Sequence, residues 1–200
     1  MKPAMNSTLS RLCACFSLLL AVTLTVAGCD NSIRDQLKAI AAAEKSLDIS
    51  PTLFATRFNR TMIEVLEDRK DPDAAHMAAL YHIDMTSLAN NDERRVFLTQ
   101  VGPSRTTLIG TLARNGDLRS IGTLLTQRTE AARAEFYLCA ETIARVVSDA
   151  PKEKLPTLIR QLVDNALNNP GQNMSEVIGD RILSAQIIKT GLLFQVERQQ

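Results

Sequence analysis

The sequence predicts an all-α fold, a multi-helix bundle of roughly seven to eight helices whose neighbours are mostly antiparallel. Two observations lead to this expectation. Apolar residues recur at spacings of three and four along most of the chain, which is the spacing of one helix face. Ser50-Pro51 is a strong helix start signal, a capping serine followed by proline, and Asp71-Pro72-Asp73 ends that helix and opens another.

The first predicted helix lies in segment 29–49, and it forms either a stalk or a helix that lies against the membrane. Ser32 and Asp35 resemble a capping box at its start. One side of this helix carries Ile33, Leu37, Ile40 and Leu47. A second helix begins after Ser50 and carries Phe54, Phe58, Met62, Val65 and Leu66 at helical spacing. A third opens near Asp73.

Residues 80–101 are ambiguous. Tyr81, Ile83 and Met85 alternate with polar residues, Val96 to Val101 is strand-like, and Asn90-Asn91-Asp92 is compatible with a hairpin turn. The flanking alanines and the spacing from Met77 to Leu88 favour helices over this hairpin. Gly102-Pro103-Ser104 then interrupts the pattern and is a possible boundary between two helical subdomains.

The remainder of the chain is also predicted to be helical. Two short helices flank a tight turn at Asn115-Gly116-Asp117. A long helix runs from near Thr126 to Ser148, and another follows Pro151 and stops at Asn168-Asn169-Pro170-Gly171. The last helix opens near Asn173 or Ser175 and carries Val177, Ile178, Ile182, Ala185, Ile188, Leu192 and Val196.

The N-terminus has the three-part layout of a secretory signal. Lys2 and Arg11 supply positive charge, and no acidic residue precedes Asp30. The apolar run from Leu12 to Val26 is about fifteen residues long, which fits a signal peptide and falls short of the roughly 20 needed to span a bilayer.

This run ends in Val26-Ala27-Gly28-Cys29, which resembles the lipobox of bacterial lipoproteins. The resemblance covers only the first thirty or so residues. It implies cleavage before Cys29 and acylation of that cysteine, so that more than one acyl chain holds the protein stably on a membrane. Asp30 resembles the signal that retains such proteins in the inner membrane, although the outer membrane remains an alternative. The predicted location is therefore the periplasmic face of the inner membrane.

Three segments follow from this interpretation: a signal peptide over 1–28, a lipid anchor with the first helix over 29–49, and a helical periplasmic domain over 50–200. Of the four cysteines, Cys13 and Cys15 leave with the signal and Cys29 carries lipid. Only Cys139 remains, among apolar residues on a predicted helix, so we expect it to be buried rather than paired.

Charge and motifs exclude several classes of function. Removal of Lys2 and Arg11 from the 23 basic residues leaves 21 against 22 acidic ones, which argues against a general nucleic-acid binder. No motif of a nucleophilic, phosphate-binding or metal-binding site occurs, so we predict no catalytic residue, no metal site and no cofactor. His76 and His82 point about 120° apart on one helix and cannot chelate together.

The middle third of the sequence is rich in arginine. The residues are Arg105, Arg114, Arg119, Arg128, Arg133 and Arg145. They are either scattered surface residues or a face that meets an acidic partner or anionic headgroups. Carboxylate pairs such as Glu64 and Asp68 lie among arginines and are interpreted as solvated, salt-linked helix faces.

These observations predict a non-enzymatic interaction module. Tethered by Cys29, the domain would bind another envelope protein within a machine for secretion, conjugation or assembly, or act in exclusion or immunity. Anchoring concentrates the domain at one surface, so modest affinity suffices. The alternative is a periplasmic protein that binds a lipid or small ligand between its helices.

Overall fold

The computed structural model describes residues 45–84 and 96–199, all within the compact unit Glu44–Gln200. The predicted signal peptide over 1–28, the lipobox-like residues Val26, Ala27 and Gly28, the predicted lipidation site Cys29 and the predicted sorting residue Asp30 lie outside the described residues. No helix within the described ranges is long and apolar enough to cross a membrane.

Two helices come first and begin where the sequence predicts. Helix α1 spans Pro51–Asp68, and its first turn is capped by the Ser50 hydroxyl, which accepts a hydrogen bond from the Leu53 amide. Helix α2 spans Ala74–Leu80, directly after Asp71-Pro72-Asp73. Most of the predicted first helix in segment 29–49 lies outside the described residues, and the prediction is wrong for its end, because residues 45–49 are not helical. Instead, the Leu47 amide donates to Leu118 and the Leu118 amide donates to Ile49.

The two long helices of the second half are also confirmed. Helix α3 spans Glu130–Val147, and the Thr129 hydroxyl accepts from the Ala132 amide at its start. Helix α4 spans Leu155–Asn168 and ends just before Pro170. Each of these helices has a strong start or stop signal. Its apolar residues recur at helical spacing and do not also alternate as in a strand, which explains why both helices could be predicted from sequence.

The all-α prediction is wrong. Besides these four helices, the described residues form a six-stranded sheet in the order β1-β2-β3-β6-β5-β4. Its strands are β1 (Val96–Val101), β2 (Thr106–Leu112), β3 (Leu118–Leu125), β4 (Met174–Ile178), β5 (Arg181–Ile188) and β6 (Gly191–Arg198). Every neighbouring pair is antiparallel. The fold is therefore α/β in content, with helices and sheet in one unit.

Three predicted helical regions are strands. Residues 96–101 form β1, so the preference for helices across 80–101 is wrong there, while Asn90-Asn91-Asp92 lies outside the described residues. The two helices expected around Asn115-Gly116-Asp117 are β2 and β3, joined by that turn. The last helix is the meander of β4, β5 and β6. Gly102-Pro103-Ser104 lies in the turn between β1 and β2.

The order of two helices followed by three strands occurs twice along the described residues. The third strand of each set lies at the centre of the sheet, where β3 pairs with β6. Gly122 of β3 is required at this junction, because a Cβ atom there would lie 2.3 Å from the carbonyl oxygen of Phe194. Close approach of two backbones is a common reason for glycine within a strand.

The hydrophobic core lies between one face of the sheet and the helices. Strand residues that enter this core alternate with residues on the other face. They include Leu108, Ile121, Leu183, Leu192, Phe194 and Val196. Contacts from α3 mark the same face, because Glu135 accepts from the Thr106 hydroxyl and the Val147 carbonyl accepts from Arg181. The described helices therefore cover one face of the sheet.

A buried ionic cluster joins α1 to α3. The Glu141 carboxylate, whose side chain is 2% exposed, pairs with Arg69 at 2.6 Å and with Arg145 one turn along its own helix. Arg145 also pairs with Asp68 at 2.6 Å, and Lys152 reaches the same carboxylate. Hydrogen bonds from Arg145 and Lys152 lower the pKa of Asp68 below its usual value. These bonds tie the C-terminal end of α1 to the C-terminal half of α3.

Candidate functional site

The second face of the sheet is the candidate interface, and we call it the open face. Strand register places its residues in three rows that cross the sheet. The middle row contains Leu98, Ile109, Gly122, Gln195, Ser184 and Ser175. The flanking rows contain Gln100, Thr107, Leu124, Leu193 and Gln186 on one side, and Val96, Thr111, Ser120, Glu197, Ile182 and Val177 on the other.

Aliphatic side chains on the open face remain in contact with solvent. Leu98 on one edge strand is 60% exposed, and Val177 on the opposite edge strand is 49% exposed. Between them, Ile109, Leu124 and Ile182 are partly exposed. Solvated faces of antiparallel sheets are usually polar, because alternation sends apolar residues to the core. The open face departs from this pattern, since it carries aliphatic residues in every row.

Charge is nearly absent from the open face. Glu197 is the charged residue among the three rows, and the remaining polar members are serine, threonine and glutamine. The Thr111 and Ser120 hydroxyls bond each other at 2.6 Å. The Ser184 hydroxyl in the middle row is buried and has no hydrogen-bond partner among the described residues. Contiguous apolar surface with few charges is typical of protein interaction sites.

A second polar cluster, around Glu135, has a structural role. Its carboxylate accepts from the backbone amide and the hydroxyl of Ser104, at 3.0 and 2.9 Å, and from the Thr106 hydroxyl at 3.2 Å. Burial and then the nearby Glu135 raise the pKa of Tyr81 above its usual value. The groups that donate to Glu135 belong to Ser104, in the turn between β1 and β2, and to Thr106, the first residue of β2. Glu135 therefore fixes this turn against α3.

Cys139 is fully buried, as its apolar surroundings in the sequence predict. Burial is the largest cause that raises the pKa of its thiol, and the negative charge of Glu135 adds to the shift. A raised pKa keeps the thiol protonated, and a protonated thiol is a poor nucleophile, because the thiolate is the reactive species. Cys139 thus packs in the core and supplies no reactive group.

The structure separates the other candidate residues of the sequence. His76 and His82 are both exposed. Within residues 45–84 and 96–199, no group of three or more histidine, cysteine, aspartate or glutamate side chains is placed to hold a metal ion. Glu64 forms an exposed pair with Arg60, and Asp68, which is also exposed, pairs with Arg145 at the edge of the cluster around Glu141. The paired carboxylates are therefore salt-linked rather than poised opposite each other.

The arginines of the middle third do not form one basic face. Arg105 bonds Gln100 in the first hairpin, and Arg145 belongs to the ionic cluster. Arg128 and Arg133 lie beside a cleft at the start of α3. The sequence does not show which of these arginines lie close together, because that depends on where the turns of the sheet meet the helices.

Comparison of the chain with models of protein families, with curated proteins and with solved structures found no match.

Sequence reasoning missed the residues of the open face because it assigned most of them to helices. One sequence feature does indicate strands here. Pairs of adjacent aliphatic residues, Ile187-Ile188 and Leu192-Leu193, lie on either side of Lys189-Thr190. Runs that are apolar on both faces fit strands that pack on two sides. In this sheet only one of those two sides is covered by the described helices.

Proposed function

We propose that this chain is a lipid-anchored protein of the bacterial envelope that binds another envelope protein through the open face of its sheet. The observation that carries the proposal is the open face itself, which is aliphatic in every row and carries little charge. In this proposal the domain is a non-enzymatic interaction module. Acylation of Cys29 would hold it at the periplasmic side of the inner membrane, with Asp30 as the retention signal.

The size of the open face suits a specific interface. Six strands at about 4.8 Å spacing and about seven residues of length cover roughly 29 by 23 Å, or roughly 700 Å². A standard protein interface buries about 800 Å² on each partner. The partner would present a surface of apolar and uncharged polar groups, because a charged surface would lose hydration against Leu98, Ile109 and Ile182 without gaining an ion pair.

Crosslinking in intact cells tests the open face. A photoreactive amino acid at Leu98 is expected to capture one discrete envelope protein, identified by mass spectrometry. The same amino acid at Leu80, which is 45% exposed on α2, provides a control outside the sheet. Val177→Glu at the opposite edge of the open face should reduce the Leu98 product at least about tenfold, since a buried charge weakens an interface by more than about 1.4 kcal/mol.

Leu80→Glu should leave the yield of that Leu98 product unchanged. Equal capture from Leu80 and Leu98, or insensitivity to Val177→Glu, would show that the open face is not the interface. A product that contains only a second copy of this chain would replace the proposed partner by self-association.

The lipid anchor is tested separately from the interface. We expect Cys29→Ala to abolish incorporation of labelled palmitate, and the protein to remain unprocessed or become soluble. Cys15→Ala is the matched control, because the predicted cleavage removes Cys15, so its label should persist. Palmitate label on Cys29→Ala would refute acylation at this residue. Fractionation of Asp30→Ser tests sorting, and an unchanged membrane distribution would remove Asp30 from the proposal.

A further inference from the structure

A cleft on the helix side of the sheet is distinct from the open face. It lies between α3, the C-terminal half of α4, the segment after β3 and the turn between β5 and β6, and its volume is about 450 Å³. This volume falls within the usual range for small-molecule sites, roughly 300–1,000 Å³. We call it the α3–α4 cleft.

The floor of the α3–α4 cleft is apolar. Phe136 of α3, Val163 of α4 and Leu192 of β6 form it, and all three side chains are buried. Leu167 of α4 lines the cleft and is 52% exposed, whereas the other aliphatic residues of α4 pack into the core. An exposed leucine beside an apolar floor provides a continuous hydrocarbon surface that reaches solvent.

The rim of the α3–α4 cleft is cationic. Arg128, Arg133 and Lys189 line it and are exposed, and Asp164 is the acidic residue of the lining. The guanidinium groups of Arg128 and Arg133 and the ammonium of Lys189 form no hydrogen bond or ion pair with the rest of the described chain. These cations come from three different segments, namely the residues before α3, its first turn and the β5–β6 turn.

The pKa of Tyr137, which also lines the cleft, is shifted by burial and by charges at this rim. Burial, followed by the charge of Asp164, raises the pKa of its phenol, and Arg133 acts in the opposite direction. The phenol is therefore protonated at neutral pH and can donate a hydrogen bond. It lines the cleft near both the cationic rim and the apolar floor.

We propose that the α3–α4 cleft binds an anionic amphiphile, such as a fatty acid or a lysophospholipid with an anionic headgroup. The carboxylate or phosphate lies among Arg128, Arg133 and Lys189, and the acyl chain lies along Phe136 and Leu167. Guanidinium groups suit such oxygens, since their donors match two acceptors at once. Burial of the methylene groups of the acyl chain against the apolar floor supplies affinity that a free anion lacks.

Photolabelling of the full chain in lipid vesicles tests this assignment. The probe is palmitic acid with a diazirine on its acyl chain, and the labelled peptides are mapped by mass spectrometry. We expect label on the peptides of α3 and α4 that contain Phe136 and Leu167. Arg128→Gln with Arg133→Gln should reduce labelling at least about tenfold, whereas the exposed pair Arg57→Gln with Arg60→Gln on α1 should not.

A second variant examines the apolar part of the cleft. Leu167→Glu is expected to reduce labelling, while Leu53→Glu at a comparably exposed position of α1 leaves it unchanged. Both positions are exposed, so both variants should fold, and their thermal unfolding verifies this. Labelling that is equal across the variant pairs, or that maps elsewhere on the chain, would overturn the assignment.

Competitors identify the ligand chemistry. Unlabelled palmitate and lysophosphatidylglycerol should displace the probe, and lysophosphatidylcholine should do so much less, because it carries no net charge. Displacement by inorganic phosphate alone would overturn the amphiphile and leave a simple anion site. Val177→Glu on the open face should not change the labelling, which keeps this result independent of the proposed protein interface.

Discussion

Replacement of Glu141 by alanine is expected to destabilise the domain by about 3 kcal/mol. The side chain of Arg145 is largely buried, and the substitution removes the carboxylate nearest to its guanidinium. The loss lies at the lower end of the range for a broken buried pair, about 3–5 kcal/mol, since Asp68 still contacts Arg145. Arg69 also loses its carboxylate, so the contact between α1 and α3 weakens. Urea denaturation followed by circular dichroism measures the change.

Glu64→Ala is the matched control for this prediction. It breaks a pair of the same spacing, Arg60 with Glu64, but that pair is exposed on α1. Exposed pairs contribute about 0–1 kcal/mol, so this variant should unfold at nearly the urea concentration of the parent. Similar midpoints for Glu141→Ala and Glu64→Ala would mean that the buried cluster does not stabilise the contact between the helices.

Phe194→Ala is expected to cost about 3–5 kcal/mol of unfolding free energy. Phe194 lies on β6 at the centre of the sheet, is fully buried and is paired in register with Thr123 and Ala185. Because Thr123 and Ala185 are small, neither cross-strand neighbour can expand into the cavity that alanine would leave. Thermal and urea unfolding of the variant measure the loss.

Phe194→Leu serves as the comparison, because it removes less volume and keeps an apolar side chain at the same place. It should lose clearly less stability than Phe194→Ala. Leu193→Ala tests the neighbouring residue, which the register places on the open face. A loss from Leu193→Ala as large as that from Phe194→Ala would contradict the assignment of the two faces.

Helices with clear boundaries were predictable from sequence. Ser50-Pro51 opens α1, where the capping side chain and the proline favour the helix locally. The long helix expected from near Thr126 is α3, which begins at Glu130 after the cap Thr129. The burial of Cys139 was predictable for the same reason, since the periodicity of α3 was correct. Local signals sufficed here because a helix satisfies its hydrogen bonds within one segment.

Strands were misassigned because their outward face is aliphatic. Ile121 and Leu125 face the core, while Leu124 faces outward, so apolar residues of both faces fall at helical spacings of three and four. Two-residue turns were the better guide. Gly179-Asp180 joins β4 to β5 and is a typical hairpin sequence, with Gly179 at a φ of 61°.

The sequence by itself determined that helices α1, α2, α3 and α4 form, and it predicts an export signal at its N-terminus. Capping residues and prolines set where α1, α3 and α4 begin or end, and Val26-Ala27-Gly28-Cys29 predicts the lipid anchor. Only the tertiary structure decided which residues share a surface. Strand pairing brings together residues far apart in the chain, such as Leu98 and Ser184 on the open face. The same holds for Arg128 and Lys189, which line one cleft because β3 pairs with β6.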